Sequence, residues 1–176
     1  LGKKLAENIK HWLDGSKCPT FNQVEEFSKK THIPIGYFFL QTPPKEQVNL
    51  LEYRTVDSLE LANPSRDLLD TIHEMEIVQE WMADYKKELY YDKVTFIGSL
   101  NEITDINVIV NKIRMDLGLD LEWYKECESC SKAFNKVRGL LEECGVLVMI
   151  NGIVGKNTHR ALNLNEFRAF AMVNEW

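Results

Sequence analysis

The chain has 176 residues, 44% of them hydrophobic and 27% charged, with a net charge of −6. That balance supports one ordinary core or two small ones and excludes a disordered or fibrous chain. No apolar run reaches the ~20 residues of a membrane-spanning helix, and residues 1–17 carry charges throughout, so no secretory leader is expected.

Residues 3–13 are predicted to form a helix, with Leu5, Ile9, Trp12 and Leu13 at helical spacing and Gly15 just past its end. Residues 20–30 form a second, capped by Thr20 with Gln23 completing a capping box. Pro34 opens a short apolar helix to Leu40, which closes a small helical core. Residues 43–63 read as a linker, with Pro43-Pro44 at one end. The strongest helical pattern covers residues 64–90, with Asn63 as cap, Pro64 in the first turn, and an apolar face running from Leu68 through Ile72, Met75, Trp81 and Tyr85 to Leu89.

A further helix is predicted over residues 104–117, capped by Thr104 and stopped by Gly118, with Ile106, Ile109, Val110 and Ile113 turned to the core. A short helix follows at residues 121–127, then one over residues 131–144 with Ser131 as cap and Gly145 as stop. The pattern then changes. Residues 145–150 and 167–174 read as strands around a polar turn that holds Gly152 and Gly155. The fold class expected is mainly α (α+β): a helical module at 1–42, the linker, and a helical region at 64–176 ending in a small, incomplete sheet. Such a sheet leaves an edge near residues 167–174 open to pairing and to homodimerisation. The chain opens on Leu1 rather than Met, and a strand runs almost to Trp176, so a piece of a longer protein is expected.

Few residues suggest chemistry. Residues 1–33 hold six Lys/Arg against four Asp/Glu, and the remainder fifteen against twenty-three, a mildly basic head on an acidic body. On the first helix, Lys3, Lys4, Asn8, Lys10 and His11 are the candidates for contacting phosphates or base edges of DNA; the bland alternative is a solvated face. Cys127 and Cys130 have CxxC spacing, but zinc needs two more ligands, and only Cys144 and His159 are near in sequence. Free thiols in a reducing cytoplasm are the expected state of all four cysteines. Gly152 and Gly155 have two residues between them where a phosphate loop needs four, which excludes that motif. No His-x-x-x-His pair exists, and Glu74 and Glu76 lie on different sides of their helix. Arg54, Arg66, Arg160 and Arg168, set among apolar segments, are expected to make fixed structural hydrogen bonds.

A helix ending His11-Trp-Leu-Asp-Gly15, followed by Pro19-Thr20, resembles the recognition-helix end of repressor-type helix-turn-helix proteins. The whole chain resembles the long repressor-type (XRE-like) members of the ImmA/IrrE metallopeptidase family. Four stretches carry the likeness: His32-Ile-Pro-Ile-Gly-Tyr-Phe-Phe-Leu40 with Pro43-Pro44 and Tyr53-Arg54-Thr55; Pro64-Ser-Arg-Asp-Leu68 leading to Gln79-Glu-Trp-Met-Ala-Asp-Tyr85; Leu140-Leu-Glu-Glu-Cys-Gly-Val-Leu-Val-Met149 with Asn151-Gly-Ile-Val-Gly155; and Glu166-Phe-Arg-Ala-Phe-Ala-Met-Val173. The resemblance implies a bacterial, cytoplasmic regulator whose parent protein is a zinc peptidase that cleaves a repressor. It implies zinc in the parent, bound by a His-Glu-x-x-His helix that this sequence does not contain. It therefore assigns no catalytic residue, metal ligand or cofactor to this chain. The partners it implies are DNA and a repressor protein substrate, with no membrane. A non-catalytic DNA-binding regulator or antitoxin, and a protein-interaction domain built on residues 64–144, are the alternatives.

Overall fold

The computed structural model describes residues 3–44, 52–54, 64–102 and 105–176. The chain is mainly helical, as its periodicity predicts. Helix α1 spans Lys3–Leu13 and α2 spans Phe21–Thr31, followed by a 3-10 turn at Ile35–Phe39. Helix α3 runs Arg66–Glu88, α4 Ile106–Asp116 and α5 Cys130–Glu143, with a second 3-10 turn at Trp123–Glu126. Among the described residues two short strands complete the set, β1 at Glu52–Arg54 and β2 at Ala169–Ala171.

The first module is built by aromatic packing. Leu5 is buried, the Trp12 ring meets Phe27 edge-on at 6.2 Å, and Phe27 in turn lies 5.4 Å from Phe38. The predicted capping box forms: the Gln23 side chain accepts the Thr20 N–H at 2.9 Å.

In the second region α3 is the scaffold. Leu68 and Ile72 are fully buried and pack with Phe167, while Leu162 and Phe170 cover the cluster. Thr71, also buried, satisfies its hydroxyl on the Asp67 carbonyl one turn earlier at 2.8 Å.

Three caps differ from the expected ones. Ser65 caps α3 by accepting the Leu68 N–H, so Pro64 precedes the cap; Asn63 lies outside the described residues. Asp105 caps α4 by accepting the Asn107 N–H, and Thr104 lies outside the described residues. Ser129, not Ser131, caps α5. In each case a neighbouring Asp or Ser has the extended backbone that lets its oxygen turn back onto the first helical N–H groups.

The stops at Gly118 and Gly145 hold, because both glycines take positive φ. Each follows its helix with two closing bonds: Gly145 and Val146 N–H donate to Glu142 and Leu141 carbonyls, and Gly118 and Leu119 to Met115 and Arg114. Helix α3 ends the same way with Tyr90 in the glycine position, at φ 58°.

The strand expected at residues 145–150 does not form. Val146 is spent on the α5 terminus, and no described strand pairs with the segment. The strand expected at residues 167–174 shortens to β2. Its partner β1 lies in the stretch read as linker, antiparallel with Tyr53 opposite Phe170. One edge of β2 is thus closed by an early segment of the chain.

Not all of the predicted core faces are covered either. Trp81 is 60% exposed, stacked on Tyr85, and Ile106 at the start of α4 is 73% exposed. Helical spacing marks which side of a helix is apolar, but it cannot say whether a neighbouring element reaches that side.

Two substitutions test this packing by urea denaturation. Leu68→Ala is expected to cost about 2–5 kcal/mol, since it opens a cavity in the tightest cluster. Tyr90→Gly is expected to add about 1 kcal/mol, because glycine carries no penalty in the left-handed position.

Candidate functional site

Helix α1 separates its apolar and polar residues cleanly. At 100° per residue, the candidates Lys3, Lys4, Asn8, Lys10 and His11 cover an arc of roughly 160° opposite Leu5 and Trp12, with Glu7 inside it. Four of the five are exposed, and Asn8 is half-buried. Lys3 and Lys10 make no ion pair with a described residue, and Lys4 lies near enough to Glu26 to help hold that carboxyl below its usual range, behind the larger effect of the Lys30 ammonium.

His11 is tied differently. Its Nδ1 hydrogen-bonds the Ser16 hydroxyl at 3.0 Å and lies 3.9 Å from the Asp14 carboxylate. Hydrogen bonds from Ser16 hold the Asp14 carboxyl below its ordinary value, with His11 adding to them. Thus Lys3, Lys4 and Lys10 present open ammonium groups, whereas His11 belongs to the turn that closes the helix.

The cysteines do not converge. The Cys127 thiol points to the Trp123 carbonyl at 3.8 Å and the Cys144 thiol to the Asp116 carbonyl at 3.7 Å, and all four cysteines are free. Among the described residues no group of three or more His, Cys, Asp or Glu side chains is disposed to hold a metal.

The most organised polar cluster was only half visible in the sequence. Arg160 donates from Nε to Asp67 Oδ1 at 2.8 Å and from Nη2 to Asp70 Oδ2 at 2.7 Å, and Arg66 Nε reaches Asp70 Oδ1 at 2.7 Å. The Arg160 side chain is only 14% exposed. Partial burial works against its charge, but hydrogen bonds to Asp70 and Asp67 outweigh this and hold the guanidinium above its ordinary value. The spacing Arg66, Asp67, Asp70 on α3 signals one charged helical face; that Arg160 would meet it is a tertiary fact.

Further bonds fasten the same loop to α3. The Gly155 N–H donates to Glu74 at 3.2 Å, and the Ser65 N–H donates to Glu166 at 2.6 Å. Within the loop, Ile153 bridges Ala161 across the polar turn region expected over Asn151 to His159.

This clamp positions one wall of a cavity of about 560 Å³ between α3, residues 145–149 and residues 167–174. The last residues close one end. Lys86 donates to the Trp176 carbonyl at 2.6 Å, Lys93 pairs with Glu175 at 2.7 Å, and the Lys93 ammonium sits 5.2 Å from the centre of the Trp176 ring.

No protein-family model matches the chain, and neither a curated protein nor a solved structure matches it.

Arg160→Leu is expected to lower stability by about 2 kcal/mol, toward the low end for charged hydrogen bonds because Asp67 keeps some solvent. Arg160→Lys should not restore it, since a point charge cannot bridge two carboxylates as the planar fork does. Thermal denaturation of both variants checks this.

Proposed function

We propose that this chain is the N-terminal, non-catalytic portion of a bacterial regulator of the ImmA/IrrE kind, whose parent protein is a zinc peptidase that cleaves a repressor. In this proposal α1 presents a DNA-contacting face, and zinc ligands and catalytic groups belong to the parent rather than to this chain. The observation that carries it is the polar face of α1, where Lys3, Lys4 and Lys10 stand exposed on a helix anchored through Leu5 and Trp12. The four stretches of family likeness lend support. They fall on the 3-10 turn after α2 and on β1, on α3, on the end of α5 with its loop, and on β2.

The cytoplasm is the proposed location. No described helix is long and apolar enough to cross a membrane. A DNA-binding regulator or antitoxin without a peptidase would use α1 in the same way and would differ only in the remaining polypeptide. The exposed apolar residues of α4, Ile106, Val110 and Ile113, favour a second reading, a protein-interaction domain.

Fluorescence anisotropy with a labelled mixed-sequence duplex, across a salt series, separates these. The intact chain is expected to bind at low salt. Substituting Lys3, Lys4 and Lys10 together by alanine should shrink the slope of log affinity against log salt by about 0.9 for each phosphate no longer neutralised. Lys112→Ala, whose ammonium pairs with Asp116 on α4, should leave the slope unchanged. An absence of binding at low salt, or a triple variant with an unaltered slope, would sink the DNA reading and leave the interaction domain.

A further inference from the structure

We infer that the cavity between α3 and residues 145–149 and 167–174 is a binding site for an elongated apolar molecule carrying one carboxylate. This stands apart from the DNA proposal and rests on different residues.

Size comes first. At about 560 Å³ the cavity falls within the ~300–1,000 Å³ range of small-molecule sites.

The lining gives the chemistry. Met75, Met82, Met149 and Met172 all face the cavity, four of the five methionines in the chain. The fifth, Met115 on α4, is 78% exposed and lies elsewhere. Methionine is unbranched and polarizable, so a wall made of it moulds to a flexible alkyl chain better than a wall of branched residues. Phe167, buried at the floor, adds a rigid apolar surface.

Charge selects the head group. The chain as a whole carries six more acidic than basic residues, yet among the described residues lining the cavity the only charged side chains are those of Lys86 and Arg168. Lys86 is half-buried and uses one of its three donors on the Trp176 carbonyl. The Arg168 guanidinium makes no ion pair with a described residue. The two remaining donors of Lys86, together with Arg168, complement a single anionic head.

The test uses the intact chain labelled at the methionine methyl carbons and titrated with dodecanoate below its micelle concentration. The methyl signals of Met75, Met82, Met149 and Met172 should shift and saturate at one equivalent, while Met115 stays still. 1-Dodecanol, of the same length without the charge, should bind about tenfold more weakly or worse, as should Lys86→Gln with dodecanoate. Arg168→Gln, at an exposed position without a described partner, is the second variant should Lys86→Gln unfold. Shifts at Met115 equal to the rest would reveal general adsorption and overturn the site. Equal affinity for the alcohol would overturn the head-group assignment. No shift at all, including the case of a self-associated chain that has closed the cavity, would overturn the inference outright.

Discussion

The second region depends on one guanidinium. Arg160 comes from a loop with little regular structure, yet it joins two carboxylates a turn apart on α3. Without that junction the loop would be held to α3 chiefly by single bonds from Gly155 and Ser65, each to one carboxylate. With it, residues 152–167 are fixed along the first half of the helix, and Phe167 is delivered onto Leu68 and Ile72. The polar clamp and the apolar cluster therefore share residues of one helix. Asp67 and Asp70 flank Leu68, and the carbonyl of Asp67 also receives the Thr71 hydroxyl. Such a partly buried charge bridge contributes less to net stability than its geometry suggests, but its directionality selects one seating of the loop.

The elements that are set by neighbouring residues were legible in the sequence. Apolar spacing located the five helices of the described residues, and Gly118 and Gly145 marked two of their ends because only the backbone freedom of glycine makes the left-handed turn easy. Caps were legible to within two residues: Ser131 and Ser129 offer the same oxygen chemistry, and backbone angles that composition does not encode put the cap at Ser129. Tyr90 shows the same limit from the other side, since nothing about a tyrosine announces a helix end.

What depended on distant partners was not legible. The apolar run at residues 145–150 has strand composition, but Val146 within it is recruited to finish α5. The stretch read as linker carries β1, whose pairing is with β2 rather than with anything nearby. For the candidate DNA face, the amphipathic pattern of α1 was sufficient to group Lys3, Lys4 and Lys10 away from Leu5. It could not separate His11, whose ring is drawn into the turn by Ser16 and Asp14.

The β1–β2 pairing has a consequence for the order in which the chain acquires its shape. Tyr53 and Phe170 pair across more than a hundred residues, so their ladder must await synthesis of the segment that carries β2. The contacts among Trp12, Phe27 and Phe38, by contrast, are all local. On a ribosome adding about 5–20 residues per second, the N-terminal helices have several seconds to condense before the partner of β1 exists. For that interval β1 is a strand without a sheet, exposed to any nascent neighbour that offers an edge. A short β1 of three residues, with little edge to present, limits that hazard.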